Sequence, residues 1–314
     1  MTEEFPHRIS LAGTITSDRI VYEGGPSFKG LGGILYQAAA LSGLGDEVRL
    51  VTNCGAALSP EVERLTADWP ELWRDEIATV AGPGNVVNLH YPKRGERREV
   101  LDSVVEPLPP ERLLSAAARS ELLLVALNSG FDIARHDWRT VLDRLSCPVW
   151  LDIHSLALDL VLHAPRSYVP LPDWPAWVRG VTFLQANLQE LGCLRGHPER
   201  LPTRAEVEGL ARDAFALGVT AVFVTLGREG VLVLTPSQAR RVHSPASERV
   251  VDTTGCGDVF CGGAVHRLVR GADVFAAAAF GVRLAARAAG LAGIRETYEM
   301  ARAARTELIP EEVP

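Results

Sequence analysis

Short runs of apolar residues recur along the chain, and most are separated by stretches long enough for a helix. Runs of this kind are typical of strands buried on both faces of a parallel sheet. The runs are His7–Ala12, Val48–Thr52, Glu121–Leu127, Pro148–Ile153, Val181–Ala186 and Ala221–Leu226. Their alternation with helical stretches predicts an α/β fold with a mostly parallel central sheet and helices on both faces. Ligands of such sheets collect at the carboxyl ends of the strands, so we expect the chemistry in the loops that follow them.

One helix is predicted from its two ends. Thr203 and Glu206 form a Thr-x-x-Glu capping box, in which each side chain can accept a hydrogen bond from a free backbone N–H at the helix start. An amphipathic run follows, and Gly218 stands where the left-handed end of a helix favours glycine. The sequence therefore predicts a helix between Thr203 and Gly218.

Two segments depart from the strand and helix alternation. The first, 14–30, contains glycines and is only partly apolar. The second, 85–104, holds two extended runs joined by Lys93-Arg94-Gly95-Glu96, which is typical of a hairpin. Both are predicted to form a small β lid beside the main sheet. Since neither an internal repeat nor a linker is visible, we expect residues 1–314 to form one domain.

Composition narrows the class of protein. The chain has 314 residues, 47% of them hydrophobic, and a formal net charge of −7 with scattered basic residues, which argues against nucleic acid as a partner. Residues 1–10 lack the basic and apolar regions of a secretory signal. The apolar stretch 276–292 is interrupted by Arg283 and Arg287, which argues against a membrane span. We expect a cytoplasmic protein with no membrane partner.

The cysteines show neither a CxxC pair nor a histidine at zinc-finger spacing. They are Cys54, Cys147, Cys193, Cys256 and Cys261. We expect reduced thiols rather than a disulfide framework or a structural zinc site.

A glycine loop, 252–258, leads from an apolar strand end into a helical pattern that ends near Gly271. The start of a helix offers unpaired N–H groups and the positive end of its dipole, and Gly255 and Gly257 allow the backbone to approach an anion. Asp258 falls in the first helical turn, where a carboxylate can take the proton of an attacking hydroxyl. The loop suits phosphoryl transfer, although a helix cap with tightly packed glycines would explain Gly-x-Gly alone.

The string Asp-Thr-Thr-Gly-Cys-Gly-Asp at 252–258 closely resembles the Asp-Thr-x-Gly-Ala-Gly-Asp signature of the ribokinase-like, or PfkB-type, carbohydrate kinases. The resemblance implies that Asp258 is the catalytic base and that Gly255, Cys256 and Gly257 form the anion hole. It also implies a nucleotide contact from Thr253. Cys256 departs from the usual alanine, either as a thiol with a lowered pKa or, as we favour, as a small residue filling an alanine-sized site.

Further segments resemble the same family in the same order along the chain. Thr225-Leu226-Gly227-Arg228-Glu229-Gly230 is similar to its Thr-Leu-Gly-x-x-Gly segment and implies nucleotide contacts from Thr225, Gly227 and Gly230. Asn187-Leu188-Gln189-Glu190 resembles its Asn-x-x-Glu motif, which implies that Asn187 and Glu190 help to hold Mg²⁺ and the phosphates through water. An N-cap followed by a solvated glutamate is the alternative explanation of that motif alone.

Near the start, Gly13-Thr14-Ile15-Thr16-Ser17-Asp18 resembles the family's Gly-x-x-x-x-Asp, which implies that Asp18 binds substrate hydroxyls. Residues 32–39 resemble its Gly-Gly-x-x-x-Asn-x-Ala segment and imply substrate contacts from Gly32, Gly33 and Gln37. Gln37 replaces the family's asparagine. The segment between Asp18 and Gly32 is also shorter than in many sugar kinases, so the substrate is left open.

The resemblance implies an ATP-dependent carbohydrate kinase of ribokinase-like fold, with Mg²⁺ as cofactor and a sugar or nucleoside as substrate. It also implies a monovalent cation, K⁺, near Asp252, and a β lid that can pair with a second subunit to form a homodimer. The alternatives are a nucleoside kinase on the same scaffold and a nucleotide- or sugar-binding protein without catalysis. A nicotinamide dehydrogenase is disfavoured because no Gly-x-Gly-x-x-Gly follows the first strand.

Two other groups of residues attract attention. Asp152-Ile153-His154-Ser155 follows a predicted strand, but no Gly-x-Ser-x-Gly elbow accompanies it, so strand-end hydrogen bonding or pocket lining is favoured over a hydrolytic triad. Trp174 and Trp177 lie among prolines and are expected to pack on the core rather than stack on a ligand ring.

Overall fold

The computed structural model describes residues 6–25, 27–93, 98–245 and 250–307. Its strands form one large sheet and one small sheet. The strands are β1 (Arg8–Ala12), β2 (Ile15–Tyr22), β3 (Ser27–Gly33), β4 (Glu47–Gly55), β5 (Leu72–Trp73), β6 (Ile77–Val80), β7 (Asn85–Tyr91), β8 (Arg98–Ser103), β9 (Leu122–Ala126), β10 (Val149–Asp152), β11 (Phe183–Asn187), β12 (Ala221–Thr225), β13 (Val231–Leu234) and β14 (Ala239–Val242).

The large sheet has the order β14-β13-β12-β11-β10-β9-β1-β4-β5, and β6 pairs with the second half of β4. Pairing is parallel from β12 across to β5, while β13 and β14 are antiparallel. The six apolar runs correspond to β1, β4, β9, β10, β11 and β12, so the predicted mostly parallel sheet is confirmed.

The apolar runs exist because both faces of this sheet are covered. In β9, Leu123 and Val125 pack into one hydrophobic cluster, while Leu122 and Leu124 pack into a second cluster on the opposite face. Alternate residues of a strand point to opposite faces, so a strand covered on both sides must be apolar at every position.

Helices cover both faces. They are α1 (Leu35–Gly43), α2 (Ser59–Thr66), α3 (Pro110–Ala117), α4 (Arg135–Leu142), α5 (Trp174–Val178), α6 (Leu188–Leu194), α7 (Arg204–Ala216), α8 (Cys256–Val269), α9 (Val274–Ala288) and α10 (Ile294–Glu307). The prediction for α7 is confirmed, with a complete capping box between Thr203 and Glu206 and a left-handed Gly218 beyond its end. In the described part of the chain, no helix combines the length and apolarity that a membrane crossing requires.

The small sheet has the order β3-β2-β7-β8 and is built from the two segments predicted as a lid. β7 and β8 pair antiparallel, as the predicted hairpin requires. The turn between them, 94–97, lies outside the described residues, as does Pro26 between β2 and β3. The assignment of residues 1–314 to one domain stays a prediction.

The small sheet is tied to the body by the segment 158–168. Backbone hydrogen bonds join Arg166 N to Glu99 O and His163 N to Leu101 O, so this segment runs beside β8. The guanidinium of Arg166 pairs with Glu99 at 3.0 Å and donates to the backbone oxygen of Asp159 at 2.9 Å. Because the Arg166 side chain is fully buried, this contact differs from a surface ion pair, and we call the Arg166–Glu99 pair the strut.

Candidate active site

The glycine loop has the geometry of a helix start. Gly255 is the N-cap of α8, with a left-handed φ of 76°. A Cβ at this position would overlap the ring of Tyr36, which packs directly against the loop from α1. Position 255 therefore requires glycine for two independent reasons, its φ angle and the close approach of an aromatic ring.

Asp258 lies in the first turn of α8, as predicted, and is half-buried. Burial and the neighbouring charge of Asp18 raise the pKa of Asp258 to about 7. The amide nitrogen of Gln37 donates to Asp258 Oδ1 at 2.5 Å and opposes this shift by stabilising the carboxylate. A carboxylate whose pKa lies near neutrality can accept a proton and release it again.

Asp18 comes from β2 of the small sheet and influences Asp258 electrostatically, so the two predicted site residues share one region. Its carboxylate lies over Gly32, where a Cβ would overlap Asp18 Oδ2. Gly33 has a left-handed φ of 64°, and a Cβ there would overlap the backbone of Thr14. The Gly32–Gly33 pair thus allows β3 to pass close beneath the carboxylate of Asp18.

Asn187 and Glu190 form a capping box at the start of α6, directly after β11. The backbone N–H and the side-chain amide of Asn187 donate to the two oxygens of Glu190 at 2.8 and 2.5 Å. Glu190 is nonetheless buried, and its burial, with the charge of Asp258, raises its pKa to about 8. It is therefore a buried group beside Asp258, unlike the solvated glutamate of the alternative explanation.

Asp152 is the third carboxylate of this region. Burial and the charges of Glu190 and Asp258 raise its pKa well above the usual range. Gln185 donates to Asp152 Oδ2 at 2.9 Å and to the backbone oxygen of Gly257 at 3.3 Å. Sequence reasoning missed Gln185, although its position in β11, two residues before Asn187, places both side chains on one face of the strand.

A cavity of about 270 Å³, which we call the carboxylate cavity, is lined by residues from both sheets and from the α8 loop. The lining consists of Glu99, Asp152, His154, Ser155, Leu158, Tyr168, Gln185, Asn187, Glu190, Thr225, Thr253, Gly255, Gly257 and Asp258. Burial, and then repulsion from neighbouring carboxylates, raises the pKa of Asp152 and of Glu190, and a cation would relieve that repulsion. The residues present therefore fit Mg²⁺ bound through water, while no described cluster of three or more His, Cys, Asp or Glu is arranged to hold a metal directly.

A second cavity, of about 610 Å³, lies on the other side of the glycine loop, and we call it the glycine-loop cavity. It is lined by Thr225, Gly227, Arg228, Gly230, Val231, Ser244, Pro245, Val250, Thr253, Cys256, Gly257, Phe260, Val282, Ala285, Ala286 and Ala289. All the residues predicted to contact a nucleotide, apart from Asn187 and Glu190, are in this lining. Thr225, Thr253 and Gly257 line both cavities, which places the glycine loop at their junction.

Cys256 lies within this lining and is partly buried, with its thiol 3.7 Å from the backbone oxygen of Ala285. Burial and the charges of Asp252 and Asp258 raise its pKa to about 11. A raised pKa favours the neutral thiol, so the structure supports a small space-filling residue. Asp252, in turn, accepts a hydrogen bond from Thr254 N at 2.9 Å and shapes the start of the loop.

The remaining sequence candidates fall into structural roles. His154 bonds Ser155 at 2.9 Å through Nδ1, and both line the carboxylate cavity, in agreement with strand-end bonding and pocket lining. Trp174 and Trp177 are buried in the hydrophobic cluster on one face of the large sheet, and Trp138 donates to the backbone oxygen of Trp177. Core packing is therefore confirmed for both tryptophans.

Residues 151–299, which include β11 to β14 and the glycine loop, match the model of the pfkB family carbohydrate kinases. The chain carries a pfkB family domain. Its predicted resemblance to this family is thereby confirmed.

Two curated relatives align with parts of this chain. A deoxyribokinase of Salmonella typhi is 35% identical over 117 residues, which is 37% of this chain and 37% of the relative. A protein of Archaeoglobus fulgidus described as an uncharacterized sugar kinase is 34% identical over 144 residues, 43% of this chain and 57% of the relative. The aligned parts therefore span less than two thirds of either relative.

Solved structures resemble this chain over almost its whole length. Arabidopsis thaliana ribokinase, complexed with ribose and ATP, has a TM-score of 0.76 at 18% identity and covers 96% of this chain and 98% of its own. A Burkholderia thailandensis nucleoside kinase, complexed with inosine, has a TM-score of 0.74 at 18% identity. It covers 95% of this chain and 97% of its own. At such identities the likeness shows the fold, and it confirms the predicted ribokinase-like architecture with a small second sheet.

Proposed function

We propose that this protein transfers the γ-phosphoryl group of ATP to a hydroxyl of a small sugar-like substrate. The observation that carries the proposal is Asp258, whose pKa is raised to about 7 at the start of α8, beside the junction of the two cavities. A phosphoryl group held by the glycine loop would lie within reach of both this carboxylate and the backbone N–H groups of the helix start.

In the proposed step, the substrate hydroxyl oxygen forms a bond to the γ-phosphorus while the bond from that phosphorus to the bridging oxygen of ADP breaks. The electron pair of the broken bond leaves with ADP, and the hydroxyl proton passes to Asp258. Gly255 and Gly257 would present backbone N–H groups to the transferred phosphoryl, and each such donor is worth about 3 kcal/mol in the transition state. The N–H of Cys256, the third predicted member of the anion hole, donates to the backbone oxygen of Thr253 at 3.2 Å.

The nucleotide would occupy the glycine-loop cavity against Thr225, Gly227, Gly230 and Thr253, where the far wall is apolar and suits a base. Bound Mg²⁺ would neutralise the phosphate oxygens. Asn187 and Glu190 would hold it through water, and Asp252 is the proposed neighbour of K⁺.

The substrate would lie beneath the small sheet. Asp18 would bind its hydroxyls and Gly32 and Gly33 would allow the substrate to approach the backbone, while Gln37 acts through the base that it contacts. Closure of the small sheet would exclude water and so protect ATP from hydrolysis. Pairing of this sheet with a second copy is part of the proposal as a route to a homodimer.

The proposal is tested by following ADP release with Mg-ATP against pentoses, hexoses, sugar phosphates and nucleosides. Asp258→Asn is expected to lower kcat by about 10²–10⁴-fold on any substrate that is turned over. Asp213→Asn is the control, because Asp213 is exposed on α7 away from both cavities. Near-normal kcat in Asp258→Asn would show that the base is another group.

A nucleotide- or sugar-binding protein without catalysis is the competing function. It predicts ATP binding with no ADP release on the whole substrate panel. The glycine loop would serve such a protein equally well, but a carboxylate with a pKa near neutrality serves proton transfer.

A further inference from the structure

A third cavity, of about 770 Å³, lies between the small sheet and the body, and we call it the inter-sheet groove. Its inner end is polar and carries Asp18, Tyr36, Asp252 and Thr254. The charges of Asp252, Asp18 and Asp258 add to burial in raising the pKa of Tyr36, which shows that this end adjoins the proposed base. The inner end is therefore where a hydroxylated ring would bind.

The outer end of the groove is apolar on the side of the small sheet. Asp18 pairs with Gly30 and Ile20 pairs with Phe28 in the β2–β3 ladder. Because alternate residues share a face, Ile20, Tyr22 and Phe28 extend outward from Asp18 along one face. The Phe28 side chain is 55% exposed, and its ring meets that of Tyr22 edge to face with centroids 6.3 Å apart.

The body supplies a second apolar wall opposite. Leu65 of α2, Val251 before the glycine loop and Ile294 of α10 line the groove, and Val251 is 44% exposed. Charged side chains also line the groove, namely Lys29, Glu61, Arg64 and Arg295, and Arg295 is paired with Asp68 at 3.0 Å. The groove thus carries hydrogen-bonding groups at its inner end, while apolar side chains of both the small sheet and the body line its outer end beside these charged groups.

From this gradient we infer that the substrate is a hydroxylated ring joined to a planar apolar group, and thus a nucleoside rather than a free sugar. The inference rests on the proposed phosphotransfer and names the acceptor class. The sugar hydroxyls bind at Asp18 and Tyr36, and the base lies between Phe28 and the wall formed by Leu65, Val251 and Ile294. A free pentose would leave that apolar surface in water, whereas a base covers it and gains the favourable contact of two aromatic faces.

The test compares kcat/KM for free ribose, ribose 5-phosphate, inosine and uridine in the ADP-release assay, with Mg-ATP as donor. At least one nucleoside is expected to exceed ribose by tenfold or more, mainly through a lower KM. If ribose or ribose 5-phosphate is the better acceptor, the nucleoside inference is overturned while the proposed phosphotransfer stands. If no acceptor releases ADP, the proposed function itself fails.

A variant locates the effect in the groove. Phe28→Ala is expected to lower the nucleoside-to-ribose ratio of kcat/KM by about tenfold, because one apolar wall for the base is lost. Leu201→Ala is the matched control, since Leu201 is also 55% exposed but lies before α7, outside the groove lining. An unchanged ratio in Phe28→Ala would show that the base does not bind against Phe28, and would overturn the assignment. If sedimentation shows that Phe28→Ala instead dissociates a dimer and leaves the ratio unchanged, the face belongs to a second copy.

Discussion

Gln37 Nε2 donates a hydrogen bond to Asp258 Oδ1 at 2.5 Å, across 221 positions of sequence. Gln37 is fully buried in α1, so this contact fixes the carboxylate from the side of α1. A donor to a carboxylate stabilises its charged form, and the bond therefore lowers the pKa of Asp258 against the opposing effect of burial. The substitution of glutamine for the family's asparagine thus bears on the proposed base itself.

Replacing Gln37 tests this relationship. In Gln37→Met the donor is lost, so the pKa of Asp258 rises and the acid limb of the kcat/KM profile moves to higher pH. We expect a shift of about one pH unit, since a hydrogen bond to a charged group is worth about 1.5 kcal/mol. Gln238→Met, at an exposed position, should leave the profile unchanged. Lower kcat/KM with an unmoved limb would mean that Gln37 does not tune the base.

Asp152 is expected to destabilise the fold when it is charged. Its folded pKa is raised above the unfolded value near 3.9, so stability is lost as pH rises through the window between the two values. Asp152→Asn removes the charge and keeps an oxygen for the hydrogen bond from Gln185. The thermal midpoint Tm of this variant is expected to exceed that of the parent by about 2 °C or more at pH 8, with a smaller gain at pH 5. Equal gains at both pH values would contradict the assignment of a charged, buried Asp152.

Gly255→Ala tests the contact with Tyr36. Position 196 offers a control, because Gly196 has a similar φ of 81° but no atom lies within 4 Å of where its Cβ would be. Gly196→Ala should cost only the strain of a left-handed residue, about 1 kcal/mol. Gly255→Ala should cost more than about 2 kcal/mol in the free energy of unfolding, because the ring must also move. Adding Tyr36→Ala to Gly255→Ala should remove the part of the cost that exceeds that of Gly196→Ala. If Gly255→Ala alone costs no more than Gly196→Ala in the free energy of unfolding, the Tyr36 ring moves aside freely.

The strut between Arg166 and Glu99 is expected to hold the small sheet. Arg166→Met removes a fully buried cation from the partly buried Glu99 carboxylate and should destabilise the fold by about 3 kcal/mol, with faster amide hydrogen exchange in β8. Adding Glu99→Gln should restore part of the loss. Arg204→Met breaks the exposed pair with Glu208 and should cost less than about 1 kcal/mol. If Arg166→Met and Arg204→Met cost the same, the strut adds nothing beyond a surface pair.

The sequence by itself determined the parallel strands, the capped helix α7 and the glycine loop that starts α8. These features are local, because strand burial, helix caps and a left-handed glycine leave their marks within a few neighbouring residues. The predicted nucleotide contacts beyond the Asn-x-x-Glu motif also came together in one cavity, since Thr225, Gly227 and Gly230 lie at and just after the end of β12 and Thr253 lies just before α8.

Only the tertiary structure decided which side chains meet. The contact between Gln37 and Asp258, the mutual repulsion of Asp152, Glu190 and Asp258, and the strut from Arg166 to Glu99 join residues far apart in the chain. Their pKa values depend on burial and on neighbouring charges, and neither is set by local sequence. The apolar outer end of the inter-sheet groove arises in the same way, because it requires β2, β3, α2 and α10 to be packed around one space.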